Sequence, residues 1–266
     1  MKLLQDALRA GRGSAPPRRA GARRVLVAGA AGALGAAVLE QLLAGRAFAQ
    51  VSVLVTQPLN TSALPGLVPV PVSALSLPVA ARAVEDTALI VFDRERHANG
   101  REDAFLRPEP AQLPNLARAL RQRGVRRLVV VMPHASASLP GALKQGLANL
   151  DEQAVAALGF EQLVFMRAAQ MPAGERASQA LQRLANGVLA QLHLMVPQRD
   201  KPVRAAKVAQ FAAQLATQLA DAPAATRVVP PELVWEAAQA RDIAAFTADW
   251  IAGRVIVESP APALRL

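Results

Sequence analysis

The chain contains no cysteine, no tyrosine and only three histidines, and its aromatic side chains are seven Phe and two Trp in 266 residues. Without cysteine there are no disulfides, no thiolate nucleophile and no Cys-bound metal; such a composition fits a cytoplasmic protein. His97, His134 and His193 lie far apart and show no H-x-x-x-H spacing, so no metal site is expected. The few aromatics are not interleaved with basic residues, as single-strand nucleic-acid binding requires, and no specific nucleic-acid partner is expected. Ser136 and Ser138 lack the G-x-S-x-G context of a nucleophile elbow and read as turn residues. No apolar run approaches the roughly 20 residues of a membrane span. The longest, from Val25 to Ala44, is broken by Gly29, Gly32 and Gly35 and then by Glu40 and Gln41.

What is abundant is positive charge, and it is unevenly placed. The formal net charge is +10, and Lys2, Arg9, Arg12, Arg18, Arg19, Arg23 and Arg24 all fall in the first 24 positions, against Asp6 alone. Residues 1–23 therefore read as a basic, flexible Gly/Ala/Pro-rich leader without the apolar segment of a secretory signal. Met1–Ala10 has Leu3, Leu4 and Leu8 at helical spacing, which suits a short amphipathic element docking on a protein partner or a membrane surface.

From residue 24 the chain alternates short β-branched runs with helical periodicity. Arg24–Ala28, Val51–Val55, Leu67–Val70, Ala88–Phe92, Arg127–Met132 and Gln162–Met166 read as strands. Ala33–Ala44, Gln112–Arg123 and Ala142–Leu158 read as helices between them, with a charged loop at Asp93–Arg107. Toward the C-terminus Ser178–Leu192, Ala205–Leu219 and Ile243–Ile251 are helical and Arg227–Val229 is strand-like. Parallel strands need long crossovers, so this alternation implies an α/β fold with a Rossmann-like doubly wound parallel sheet. Residues 24–266 form that domain, and about 170–266 are expected to give it a C-terminal helical cap.

The motif that carries chemistry is Val25-Leu26-Val27-Ala28-Gly29-Ala30-Ala31-Gly32-Ala33-Leu34-Gly35, three glycines spaced G-x-x-G-x-x-G between a strand and a helix. In such a turn Gly29 makes the tight bend, Gly32 lets the backbone approach a pyrophosphate, and Gly35 packs the helix on the strand. The backbone of Ala31, Ala33 and Leu34 opens the helix, whose N-terminal amides and dipole attract phosphate. The expected cofactor is NAD(P)H. The residue after the second strand normally selects it, with an acid for NAD or a base for NADP, and here Thr56 and Gln57 are neither. NADP stands slightly ahead of NAD but is not resolved.

The order of landmarks resembles the atypical short-chain dehydrogenases, in particular the NmrA-like and Tat-interacting-protein-like NAD(P)H-binding proteins. The resemblance covers roughly residues 24–240. It is carried by the glycine turn, the strand Ala88–Phe92, Gly124-Val125-Arg126-Arg127-Leu128-Val129-Val130, Leu158-Gly159-Phe160-Glu161, Lys201-Pro202-Val203 with Val208-Ala209, and Arg227–Trp235. It implies a Tyr-x-x-x-Lys pair on the helix after the fifth strand, and this chain has no tyrosine. Counting from Leu158-Gly159-Phe160 places Gln145 and Asn149 there; counting from the fifth strand places Lys144 and Ala148. His134 is a candidate replacement proton donor and Lys144 a candidate ribose or phosphate ligand; each also reads as an ordinary loop or helix residue. The family's Gly/Thr residues after the fourth strand are replaced by Asp93-Arg94-Glu95-Arg96-His97, bulky charged groups that a tight cofactor floor would not accommodate. The proline of its "RP" turn is replaced by Ala168 after Arg167.

Three functions follow. The first is an NAD(P)H-binding redox-state sensor or scaffold without catalysis. The second is an NAD(P)H-dependent oxidoreductase that passes hydride to a quinone-type acceptor without the tyrosine. The third is an interaction protein on a relic Rossmann fold that binds no nucleotide and docks through its basic leader.

Overall fold

The structure is a computed structural model, and it describes residues 23–59, 66–76, 85–93, 101–133, 151–168 and 203–255. Seven strands form one sheet: β1 (Arg24–Ala28), β2 (Gln50–Val55), β3 (Leu67–Pro71), β4 (Thr87–Val91), β5 (Arg127–Pro133), β6 (Gln162–Ala168) and β7 (Ala225–Val229). Their spatial order is β3-β2-β1-β4-β5-β6-β7, and every neighbouring pair is parallel. The order runs outward from β1 in one direction through β3, then returns to β1 and runs outward in the other. This is a Rossmann-like doubly wound fold.

Both faces of the sheet are covered, which is why its strands read as nearly continuous apolar runs rather than alternating ones. On one face Val25, Val27, Leu89, Val91, Val129, Val131, Val164 and Met166 pack under α1 (Gly32–Gly45), α3 (Ala205–Gln218) and α4 (Pro231–Gln239). On the other, Leu26, Ala28, Ala88, Ile90, Leu128, Val130 and Phe165 meet Leu113, Leu116, Ala117 and Leu120 of α2 (Leu113–Gln122), with Val155 beside them. The C-terminal helices thus belong to a face of the sheet: α3 lies along α1, and α5 (Ile243–Ile251) packs on α3 through an edge-to-face contact of Phe211 with Phe246, centroids 6.0 Å apart.

The amino-terminal end of the sheet is tied by polar groups. Ser52 donates to Glu85 (2.7 Å), whose other oxygen takes a bond from Arg123 (3.3 Å), and Arg123 also reaches the carbonyl of Ala74. Ser52 and Glu85 are both buried, so this network joins β2 to the lead into β4 and to the end of α2 away from solvent. Arg127 bridges to Asp86 at 2.7 Å, and Arg227 donates to Gln162 at 2.7 Å across β6 and β7. Burial lowers the Arg227 pKa below its ordinary value. Arg23, read from the sequence as the last residue of the leader, is part of the domain: it binds the carbonyl of Thr217 and the carboxylate of Asp221 at 3.1 Å each. Residues 1–22 lie outside the described residues. No described helix is long and apolar enough to cross a membrane.

Candidate functional site

In an open doubly wound sheet the crevice for a ligand opens at the carboxyl ends of the strands where the strand order reverses, here between β1 and β4. The glycine turn stands at that place. Gly29 and Gly32 have φ of +92° and +82°, in the region that disfavours side chains. A Cβ on Gly29 would lie 2.0 Å from the carbonyl oxygen of Val91 at the end of β4, and one on Gly35 would lie 2.0 Å from the carbonyl oxygen of Gly29. Two of the three glycines are therefore required by the packing of the turn against β4 and of α1 against the turn. Gly32 is held in the same left-handed region by its backbone. Gly29, Ala31, Gly32, Leu34 and Gly35 are buried, and Ala33 is half-buried.

The first turn of α1 contains no acidic residue, and its N-cap, Ala31, offers no side chain to the leading amides, which have no partner within the helix. A carboxylate from 59 positions later supplies one: the Leu34 N–H donates to Asp93 Oδ2 at 2.7 Å. A short bond from an amide to a charged acceptor contributes about 1.5–3 kcal/mol, and the helix dipole favours a negative charge at this end. The sequence marked Asp93 only as the start of a charged loop at odds with a cofactor floor. The structure shows the partner that accommodates it, a backbone amide of the glycine turn.

The edge of β2 beyond β1 is also engaged. Val51 donates to Gly66 toward β3, so the even-numbered residues of β2 present their amides and carbonyls toward β1. β1 turns away after Ala28, and residues 104–106 take its place: Thr56 N–H donates to the carbonyl of Ala104 (2.8 Å), and Leu106 N–H to that of Leu54 (2.9 Å). Val55 and Phe105 form an antiparallel bridge. The Thr56 hydroxyl, a candidate for a ribose bond, donates instead to the carbonyls of Asp103 and Ala104 at 3.2 and 3.3 Å. The Gln57 N–H also points to Ala104, at 3.5 Å. The strap runs on to Pro108, whose Cδ lies 3.2 Å from the place of a Gly29 Cβ.

In sequence the chain matches no protein-family model and no curated protein. Among solved structures a nucleoside-diphosphate-sugar epimerase from Staphylococcus aureus is similar, with a TM-score of 0.46 and 13% identity over 78% of this chain and 70% of that one. At that distance the likeness says nothing of activity. The fold rests on the strand order and the glycine turn.

At the carboxyl end of β6, Arg167 forms a two-pronged ion pair with Glu152, both oxygens 2.7 Å from Nη2. Glu152 belongs to the helical segment 151–156, the end of the predicted helix 142–158. Sequence reasoning noted Arg167 only for the proline missing after it; the signal was a basic residue at the carboxyl end of a strand. His134 and Lys144 lie outside the described residues, as do Gln145, Asn149, His97 and His193. Among the described residues no three potential metal ligands cluster.

Proposed function

We propose that this protein is an NAD(P)H-binding Rossmann-type protein that does not turn its cofactor over, acting as a redox-state sensor or scaffold. The observation that carries this reading is the position of the Gly29/Gly32/Gly35 turn at the β1/β4 reversal in a chain with no tyrosine. The turn supplies a close backbone approach and a helix N-terminus for a diphosphate. The Tyr-x-x-x-Lys pair implied by the resemblance to atypical short-chain dehydrogenases has no tyrosine to form it.

A second reading, an interaction protein that binds no nucleotide, is favoured by one observation: the Asp93 carboxylate on the Leu34 amide. Thermal unfolding of the full chain with millimolar NADPH, NADP, NADH or NAD separates the two. A ligand of the folded state at a hundred times its dissociation constant adds about 2.7 kcal/mol of stability. The expected result is a raised midpoint with at least one dinucleotide, and no oxidation of the reduced cofactor by quinones or ketones. Steady turnover with a quinone would replace the sensor with an oxidoreductase. No shift with any of the four would leave the second reading.

A further inference from the structure

Asp93, just after β4, and residues 103–106, ahead of α2, reach into both parts of the crevice that a dinucleotide would enter. Asp93 Oδ2 accepts the Leu34 N–H at the phosphate end, and residues 103–106 lie along β2 at the end where the adenosine ribose of such a ligand is read. These contacts, from Asp93 at one place and from residues 103–106 at the other, use the groups a dinucleotide would use. We infer that Asp93 and residues 103–106 are a built-in stopper of the glycine-turn site, with the Asp93 carboxylate standing in for the diphosphate. The inference rests on the dinucleotide-binding reading above.

The chemistry is competition for one donor. An amide N–H aimed at Asp93 at 2.7 Å is not available to a phosphate oxygen, and two anions cannot share the helix end without repelling one another. The first turn of α1 has no acid of its own and its N-cap is alanine, so a charge placed there must come from elsewhere in the chain or from a ligand. Binding therefore requires Asp93 to leave Leu34, and whatever draws Asp93 away raises the affinity of the site. Residues 103–106 set a second condition, since the Thr56 hydroxyl can donate to a ribose only after releasing the carbonyls of Asp103 and Ala104.

The test measures dissociation constants of NADPH, NADH and inorganic diphosphate, at fixed ionic strength, for the full-length wild type, Asp93→Ala, Asp93→Asn and Glu161→Gln. Glu161 lies at the amino end of the sheet, exposed and paired with Arg126, and its variant controls for net charge alone. The asparagine variant keeps the shape of the side chain, so it reads the effect of the charge if the alanine variant does not fold. Both Asp93 variants are expected to bind at least tenfold tighter than wild type, with diphosphate following the same order and Glu161→Gln matching wild type. Equal or weaker binding by the Asp93 variants overturns the stopper while leaving dinucleotide binding in place. An equal gain in Glu161→Gln reduces the effect to net charge and also overturns it. Binding of no dinucleotide by any variant overturns both readings.

Discussion

At the scale of single residues, the glycines separate into those held by close packing and those held by backbone conformation alone. Gly29 combines φ of +92° with a Cβ position 2.0 Å from Val91 O. Gly253 has φ of +73° but nothing within 4 Å of its Cβ position. Gly253 closes α5, its amide bonding to Trp250 O while that of Arg254 bonds to Asp249 O, the geometry of a Schellman end. Substituting alanine at Gly253 is expected to cost about 1–2 kcal/mol, the strain of a left-handed side chain. At Gly29 the clash adds to that strain, for a total of about 3 kcal/mol or more. Urea unfolding of the two variants checks the difference; equal losses would mean that the turn relaxes around the added methyl. The spacing of Gly29 and Gly35 was legible in the sequence, but its reason was not. A motif associated with phosphate is also what close packing of turn, strand and helix requires, and only the distances to Val91 O and Gly29 O show that.

At the scale of elements, the strands were the most legible part of the chain. β1 was read to its bounds, and β2, β4, β5 and β6 to within two residues, because a strand buried on both faces must be apolar throughout. The joints between elements were not legible. Glu85, Ser52 and Arg123 meet across separations that carry no local pattern. Breaking a buried ion pair at one partner typically costs about 3–5 kcal/mol. Glu85→Ala is expected to fall near the low end of that range, because Arg123 retains the Ala74 carbonyl. A double-mutant cycle with Arg123→Ala should show coupling, and additive losses would remove the network from the account. At α5, Asp242 caps the amides of Ala244 and Ala245, and Asp242→Ala is expected to cost about 1 kcal/mol by denaturant midpoint.

At the scale of the whole molecule, all six strand pairings are parallel and each spans a crossover, so the carboxyl ends of the strands gather at one edge. That gathering brings the glycine turn, Thr56, Asp93 and Arg167 to the same end of the sheet from four different strands. The domain begins by residue 23, since Arg23 is tied to Thr217 and Asp221. A chain lacking residues 1–22 is expected to keep the unfolding midpoint of the full protein while losing any partner held by the basic leader. A large drop in the midpoint would assign the leader to the fold.

The sequence by itself determined the parallel α/β architecture and the place of the glycine turn, because both are written in local periodicity and short-range spacing. It also determined that no tyrosine serves this site. The tertiary structure decided what the turn is bonded to. Thr56 gives its hydroxyl to carbonyls 47 and 48 positions away, and the Leu34 amide meets a carboxylate 59 positions away. Hydrogen bonds between groups so far apart in the chain depend on where the crossovers deliver them, and no pattern of neighbouring residues encodes that.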